Sequence, residues 1–286
     1  MPGISPYALA MIGASLGGLG SDSWEVPEIN TNVPHPARVY DYFLDGKDNF
    51  EADRIAADAA IAAFPRTAES ARSARAFLRR VVQFLAAEAG IRQFLDIGTG
   101  LPSGENVHQV AQSAAPEARI VYVDNDPIVL LHAQALLTSS PEGAVAYLDA
   151  DLRDPEKILG EAAKTLDFGQ PMAILLLGIL HNIGDQDDPY GIVRKLVQAM
   201  PGGSYLAICH LTAGIYPELA EWAQALNERR IEAPLVLRDR AEVTSFFDGL
   251  GFVEPGVVQL SKWRPRSEAE SAEAAALWGG VARKPA

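Results

Sequence analysis

The chain has 286 residues, 48% hydrophobic and 21% charged, a composition typical of a globular protein that buries one substantial core. Its formal net charge of −13 argues against nucleic acid as a partner, because phosphate backbones are bound by clustered lysine and arginine. Cys209 is the only cysteine, so neither an internal disulfide nor a cysteine-rich metal site can form.

Residues 1–20 differ from the rest of the chain because they are apolar and glycine-rich. They lack the positively charged start of a secretory signal, so we predict a flexible leader over 1–30, a cap segment over 31–66 and the main domain over 67–286. No run reaches the ~18 apolar residues of a membrane span, and no membrane partner is expected. The single cysteine makes a cytoplasmic location the default expectation. The sequence leaves the oligomeric state open.

From residue 68 onwards, segments with helical spacing of apolar residues alternate with short apolar segments. Gly90 ends the first predicted helix, Ser103 is the expected N-cap of the second, Pro116 closes it, and Pro127 opens the third. The predicted helices cover residues 68–90, 103–115, 127–137, 155–166, 188–200, 216–230 and 239–252. The predicted strands cover residues 92–98, 118–126, 144–154, 171–180, 204–212, 256–263 and 279–284.

Strands that are apolar throughout and separated by helices predict a parallel sheet covered on both faces. The fold class is therefore α/β, with a Rossmann-like arrangement. Because the chain ends with a helix and two strand candidates, we expect a seven-stranded, mostly parallel sheet whose last strand is antiparallel. The Glu/Ala-rich segment 267–278 is predicted to be an exposed linker or a short helix.

A glycine turn, DIGTGLPSGEN, follows the first predicted strand, at the edge of the sheet where ligands bind in such folds. A nicotinamide fingerprint requires Gly-x-Gly-x-x-Gly, but Ser103 occupies the third position, which disfavours a nicotinamide-dependent oxidoreductase. S-adenosylmethionine suits the turn better. Its amino group can bind the Asp96 carboxylate, and its carboxylate can meet backbone amides of Gly98, Thr99 and Gly100.

Acidic residues also end the next two predicted strands. Asp124, followed by Asn125, stands where a carboxylate can accept hydrogen bonds from both ribose hydroxyls. Asp126 is instead the expected N-cap of the following helix. Asp151 can accept from the adenine amino group, while Leu152 offers an amide and an apolar edge. Three carboxylates at the ends of consecutive strands favour an adenosyl cofactor.

Several segments together resemble the actinobacterial S-adenosylmethionine-dependent methyltransferase family long catalogued as a domain of unknown function. They are PHPARVYDYFLDGKDNFEADR, FLDIGTGLPSGENVHQVAQ, ARIVYVDNDPIVL, DLRDPEKIL, LHNIGD and FFDGLGFVEPGVVQLSKWRP. The resemblance implies a class I methyltransferase fold with an N-terminal cap over the cofactor, but no particular acceptor. The sequence departs from the family at Asn182, where an aromatic residue usually follows the histidine, and at Ala74, where Asn is common.

The cap segment crowds aromatic and charged residues into RVYDYFLDGKDNF, residues 38–50. An amphipathic helix would pack such aromatics against the main domain. We hypothesise that the segment also closes over the cofactor, with Tyr40, Tyr42 or Phe50 facing the sulfonium, since aromatic faces favour a cation. Arg75 is a further candidate partner for the cofactor carboxylate.

Methyl transfer from a sulfonium mainly requires alignment, so no catalytic triad need be visible. His181 follows the fourth predicted strand and is the candidate base if the acceptor must lose a proton, with Asp185 four residues further on. A loop histidine bonded to backbone is an equal alternative, and His210 ranks lower. The five histidines lack the spacing of a metal site, so no metal is predicted.

The sequence therefore predicts an S-adenosylmethionine-dependent methyltransferase that acts on a small molecule. A non-catalytic protein that binds the same cofactor for regulation is the alternative, followed by the disfavoured oxidoreductase.

Overall fold

One β-sheet organises the chain. The computed structural model describes residues 29–102, 105–136, 139–228, 233–272 and 275–286, so the predicted leader lies outside the described residues except for its last two. The strands are β1 Gln93–Ile97, β2 Arg119–Asp124, β3 Ala144–Asp149, β4 Ala173–Leu177, β5 Tyr205–Leu211, β6 Gly251–Phe252, β7 Val258–Gln259 and β8 Leu277–Arg283. The helices are α1 Pro36–Phe43, α2 Glu51–Ala63, α3 Thr67–Gln83, α4 Val107–Ala114, α5 Pro127–Leu136, α6 Pro155–Ala162, α7 Pro189–Ala199, α8 Glu218–Asn227, α9 Arg240–Ser245 and α10 Glu268–Ala272.

The strands are ordered β3-β2-β1-β4-β5-β8-β6, and β7 also pairs with β8. Strands β1 to β5 are parallel, whereas β8 runs antiparallel to β5 and β6. The predicted α/β fold with a mostly parallel sheet and a final antiparallel strand is confirmed. Strand order reverses between β1 and β4, which opens a crevice at their carboxyl ends.

The strands lie between two hydrophobic cores, as their uninterrupted apolar sequences predict. Every residue of β1 is buried. Because side chains alternate along a strand, Phe94 packs into the core on one face and Leu95 into the core on the other. The sheet is thus a rigid platform on which the loops at its carboxyl edge are placed.

The C-terminal region differs from its prediction. The predicted helix 239–252 is reduced to α9, because Gly249 has φ +81° and the chain after it joins the sheet as β6. The predicted strand 256–263 is reduced to β7, since Leu260–Lys262 form a 3₁₀ turn. These changes give eight strands in the described chain rather than seven.

Helices α3, α5, α6 and α7 start within one residue of their predicted positions, whereas α4 does not. A π-helical turn at Phe84–Glu88 continues α3, and the chain turns at Gly90 with φ +72°, as predicted. Helix α4 begins at Val107 rather than near Ser103, because Asn106 caps it and donates its N–H to Gln109 Oε1 at 2.8 Å. Ser103 itself lies outside the described residues.

The N-terminal helices α1 and α2 are joined by the buried carboxylate of Asp53 in α2. Its Oδ1 accepts from the backbone N–H of His35 at 2.9 Å, and its Oδ2 accepts from Phe50 N–H at 2.8 Å. The Nε of Arg38 in α1 lies 3.7 Å from Oδ1. One side chain therefore fixes the start of both helices.

Asp53→Asn should lower the free energy of unfolding by about 2 to 4 kcal/mol, because the amide leaves a buried N–H unsatisfied and Arg38 keeps Asp126 as its one remaining carboxylate in this cluster. Asp58→Asn, in the same helix, is the matched control. Its carboxylate accepts from Tyr42 at an exposed contact, so its loss should cost less than about 1 kcal/mol. Urea unfolding monitored by circular dichroism measures both values, and equal effects would contradict this account of the cap.

Candidate functional site

The glycine turn after β1 is pinned to the end of β2. Gly98 has φ +75°, and a Cβ there would lie 2.6 Å from a side-chain carbon of the loop after β4, so only glycine fits. The N–H groups of Gly98 and Thr99 donate to Val123 O at 2.8 and 3.3 Å, and Gly100 N–H donates to Asp124 Oδ2 at 2.8 Å. The sequence suggested these amides as ligand donors, but all three have partners within the chain.

Asp124 is buried at the carboxyl end of β2, where the sequence placed it. Besides Gly100, it accepts from the N–H of Asp126 through Oδ1 at 3.0 Å. Burial raises the pKa of this carboxyl, while the two N–H donors act in the opposite direction. The side chain therefore has a fixed orientation at the sheet edge.

Asp96, at the carboxyl end of β1, is also buried. Burial raises the pKa of Asp96 to about 7. The charge of Asp124 also raises this pKa, whereas the guanidinium charge of Arg75 lowers it. Helix α3 thus brings Arg75 close enough to act on the end of β1. The structure places Asp96, Asp124 and Arg75 in one electrostatic neighbourhood.

Asp151 follows β3, at the same carboxyl edge of the sheet as Asp96 and Asp124. Its Oδ2 accepts from Asn125 Nδ2 at 3.1 Å, and its Oδ1 accepts from the backbone N–H and Nε of Arg153, each at 2.8 Å. Hydrogen bonding by Arg153 holds the pKa of Asp151 below its usual range. The Leu152 side chain is buried in the core of the sheet, which leaves its backbone amide rather than an apolar edge as its possible contribution.

The cap covers this edge through an apolar contact. Phe50, between α1 and α2, packs with Ala37 of α1 against Leu101 of the glycine turn and Ile128 of α5. These contacts bring the cap directly over the ends of β1 and β2.

The two tyrosines of α1 have different surroundings. Tyr40 donates to Ala71 O of α3 at 3.1 Å, and burial raises the pKa of its hydroxyl while Arg75 opposes the rise. Tyr42 donates to Asp58 Oδ1 at 2.9 Å in an exposed contact between α1 and α2. Tyr40 is therefore the tyrosine that shares surroundings with Arg75.

An ionic contact also joins the cap to the sheet edge. His35 Nδ1 lies 2.9 Å and Arg38 Nε 3.4 Å from Oδ2 of Asp126. The Oδ1 of the same residue accepts from Ile128 N–H at 2.9 Å, so Asp126 caps α5 as predicted. Burial opposes protonation of His35, but the contact with Asp126 and the charge of Asp124 outweigh it and raise the pKa of His35.

His181 lies after β4 in the 3₁₀ turn Leu180–Asn182. Its Nδ1 is buried and has no hydrogen-bond partner in the described structure. Burial, together with the charge of Arg238, lowers the pKa of His181 to about 4, so the imidazole is neutral at pH 7. Asp185 does not contact this ring but pairs with Arg238.

The sequence interpretation did not anticipate the contacts of His35 with Asp126 and of Arg238 with Asp185. Neither belongs to a spacing motif, and each acts through a residue far away in the chain. Within the described ranges, no group of three or more histidine, cysteine or acidic residues is arranged to hold a metal ion. Among the described helices, none is both long and apolar enough to cross a bilayer.

The sheet order, the glycine turn after β1 and the buried acid ending β2 are those of the class I methyltransferase fold. The profile of the S-adenosyl methyltransferase family matches residues 22–285, and the chain belongs to this family. Its cofactor is accordingly S-adenosylmethionine, not a nicotinamide.

Two solved structures are similar over their whole lengths. A DUF574 family protein from Streptomyces avermitilis is 47% identical, with a TM-score of 0.86, and the match covers 90% of this chain and 100% of that one. A protein from Thermobifida fusca described as a candidate methyltransferase is 41% identical, with a TM-score of 0.83 and coverage of 93% and 100%. No curated protein matches the chain. The predicted family is confirmed.

The contact between His35 and Asp126 should make stability depend on pH. The pKa of His35 is raised in the folded state, so its contribution is complete below the unfolded value of 6.5 and is lost as pH rises through the folded value. Burial alone would raise the pKa of Asp126, but the contact with His35 outweighs burial and lowers it. The stabilisation that the Asp126 carboxylate contributes is therefore lost only in acid. We expect a coupling free energy of about 1 to 3 kcal/mol below pH 6.5 that declines at alkaline pH.

A double-mutant cycle with His35→Asn, Asp126→Asn and the double variant measures this coupling by urea unfolding at several pH values. Asparagine can still cap both helices, so the cycle isolates the ionic contact. A coupling that stays constant, or grows, as pH rises would show that the pair does not hold the cap.

Proposed function

We propose that the protein transfers the methyl group of S-adenosylmethionine to a small-molecule acceptor by in-line displacement, with alignment as the main catalytic contribution. The acceptor lone pair forms a bond to the methyl carbon while the carbon–sulfur bond breaks, and its electrons remain on sulfur to give S-adenosylhomocysteine. The donor is already activated, so the chain must chiefly hold the two partners in line. The acidic surface of the protein supports a small molecule rather than a nucleic acid.

The observation that carries this proposal is the pair of buried carboxylates, Asp96 and Asp124, at the ends of adjacent strands beneath the cap. Asp124 would accept hydrogen bonds from the ribose hydroxyls, because its orientation is fixed by two backbone N–H groups. Asp96 would bind the cofactor ammonium, whose charge favours ionisation of this carboxyl.

Other residues at the carboxyl edge of the sheet would make the remaining contacts to the cofactor. Asp151, Asn125 and the amide of Leu152 would face the adenine ring. Arg75 is the favoured partner for the cofactor carboxylate because it brings a positive charge beside Asp96, and its Nη2 also donates to Glu105 O at 3.3 Å. Gly98, Thr99 and Gly100 would instead let the backbone approach the methionine part.

The cap, residues 31–66, would close over the methionine end of the cofactor. Tyr40 and Phe50 are the favoured partners of the sulfonium, since Tyr40 is buried beside α3 within reach of the Arg75 charge and Phe50 packs against Leu101 of the glycine turn. Tyr42 is a weaker partner because its hydroxyl is held by Asp58 in an exposed contact.

His181 would act as the base when the acceptor loses a proton. A neutral imidazole is required to accept one, and the lowered pKa of His181 keeps it neutral. Its partnerless Nδ1 is the atom available for this transfer. For an acceptor that needs no deprotonation, the same side chain would only orient it.

Asp124→Asn should weaken the binding of S-adenosylhomocysteine about ten- to a hundredfold, because a charged hydrogen-bond acceptor is replaced at the ribose. Asp149→Asn is the matched control, since Asp149 pairs with Asp124 in the sheet register but is exposed. Isothermal calorimetry measures both constants. Equal affinities for Asp124→Asn and the unmodified chain would place the nucleoside elsewhere.

His181→Asn should leave cofactor affinity unchanged and lower the turnover of a hydroxyl acceptor about 10²- to 10⁴-fold. Release of S-adenosylhomocysteine across a panel of phenols, carboxylic acids and amines measures turnover. If the unmodified protein binds the cofactor tightly and releases no product with any of them, the non-catalytic regulatory alternative is favoured.

A further inference from the structure

Arg238, between α8 and α9, is a buried cation with partners on several sides. Its side chain is only 2% exposed. Nη1 donates to Leu180 O at 3.0 Å, and Nη2 donates to Ile183 O at 3.2 Å and to the carboxylate of Asp185. Its guanidinium carbon also lies 5.6 Å from the ring centre of Phe246. The planar fork of arginine is therefore held in one orientation.

The carbonyl groups that Arg238 binds flank His181. At the end of this turn, Leu180 O accepts from Ile183 N–H at 3.2 Å, and Arg238 adds a second donor to the same carbonyl. Val236 supplies another donor, since its N–H donates to His181 O at 2.8 Å. Residues 236–238 thus bind the carbonyl groups of residues 180, 181 and 183.

Arg238 also selects the tautomer of His210 in β5. Its Nη1 lies 3.0 Å from Nε2 of His210, and an arginine N–H can only donate. The ring proton is therefore on Nδ1, which lies 2.8 Å from the acceptor Leu211 O. The His210 ring meets the His181 ring edge to face, at 5.8 Å between centres.

We propose that Arg238 is a positioning residue for His181: it clamps the turn that carries this imidazole, fixes the neighbouring His210 in one tautomer, and so presents His181 to the acceptor in a single orientation. The role of His181 as a base rests on the proposed function. The clamp itself acts on groups that can be observed without any acceptor.

The clamp also has an electrostatic consequence. Burial and the charge of Arg238 lower the pKa of His181, and His181 in turn lowers the pKa of His210. Asp185 balances the guanidinium from the solvent side, where its side chain is 78% exposed. Removing the cation should therefore raise the pKa of His181 towards its ordinary value.

Long-range ¹H–¹⁵N NMR spectra of the full chain labelled at histidine test the clamp, with His181→Asn and His210→Asn used for assignment. In the unmodified protein, His210 should show only the Nδ1-protonated tautomer, and His181 should not titrate near neutral pH. In Arg238→Gln, His181 should titrate at a higher pH than in the unmodified protein, and His210 should populate both tautomers. In Arg238→Lys, the charge remains but the fork is lost, so only the tautomer of His210 should become mixed.

Asp185→Asn is the matched control, because it removes the exposed partner of Arg238 and leaves the buried contacts in place. It should retain the histidine signals of the unmodified protein. A folded Arg238→Gln variant with unchanged His181 and His210 signals would overturn the clamp. If that variant does not fold, unchanged His210 signals in Arg238→Lys would do so.

Cofactor binding by the same samples separates the clamp from the proposed function. Arg238→Lys should bind S-adenosylhomocysteine as the unmodified protein does, since its contacts lie at the β4–β5 side of the edge. Failure of the unmodified protein to bind the cofactor would refute the proposed function, whereas unchanged histidine signals would refute only the clamp.

Discussion

The carboxylate of Asp124 connects the parts of the molecule on which the site depends. One of its oxygens holds the glycine turn after β1, and the other holds the start of α5 through Asp126. Asp126 in turn contacts His35 of the cap. A single buried acid therefore fixes the turn and the helix start while the residue two positions later holds the cap. The glycine turn, the start of α5 and the cap are for this reason parts of one connected arrangement.

The cap reaches both sides of the crevice. On the β1–β2 side, Phe50 packs against Leu101 and Ile128. On the β5 side, the ring of Phe64, at the end of α2, lies 5.2 Å from the ring of Tyr216, before α8. These two apolar contacts place α1 and α2 across the carboxyl edge of the sheet. The clamped turn of His181 lies at the same edge, after β4.

Local patterns in the sequence predict much of this arrangement. The alternation of apolar strands and helices predicts the sheet, and the positions of Asp96 and Asp124 at strand ends follow from it. Asp126 caps α5 as its place before a proline predicts. The start of α4 and the short strands β6 and β7 were harder to predict. Asn106 and Gly249 each determine a single turn, and hydrophobic periodicity does not describe single turns.

Contacts between distant residues were not predictable in the same way. Arg238 meets Leu180 across 58 positions, and nothing in the spacing of either segment indicates that pairing. The glycine turn was also recognised in the sequence, but the partners of its N–H groups were not. These groups donate to Val123 O and to the Asp124 carboxylate, whereas the sequence suggested a ligand. The residue types at the strand ends were therefore easier to predict than the hydrogen bonds they form.

A crystal structure of the protein with S-adenosylhomocysteine tests the central claim most directly. The account predicts both ribose hydroxyls within hydrogen-bonding distance of the Asp124 carboxylate, with the amino-acid part of the ligand beside Asp96 and Arg75. A nucleoside bound away from the ends of β1 and β2, with Asp124 making no contact to it, would contradict the account.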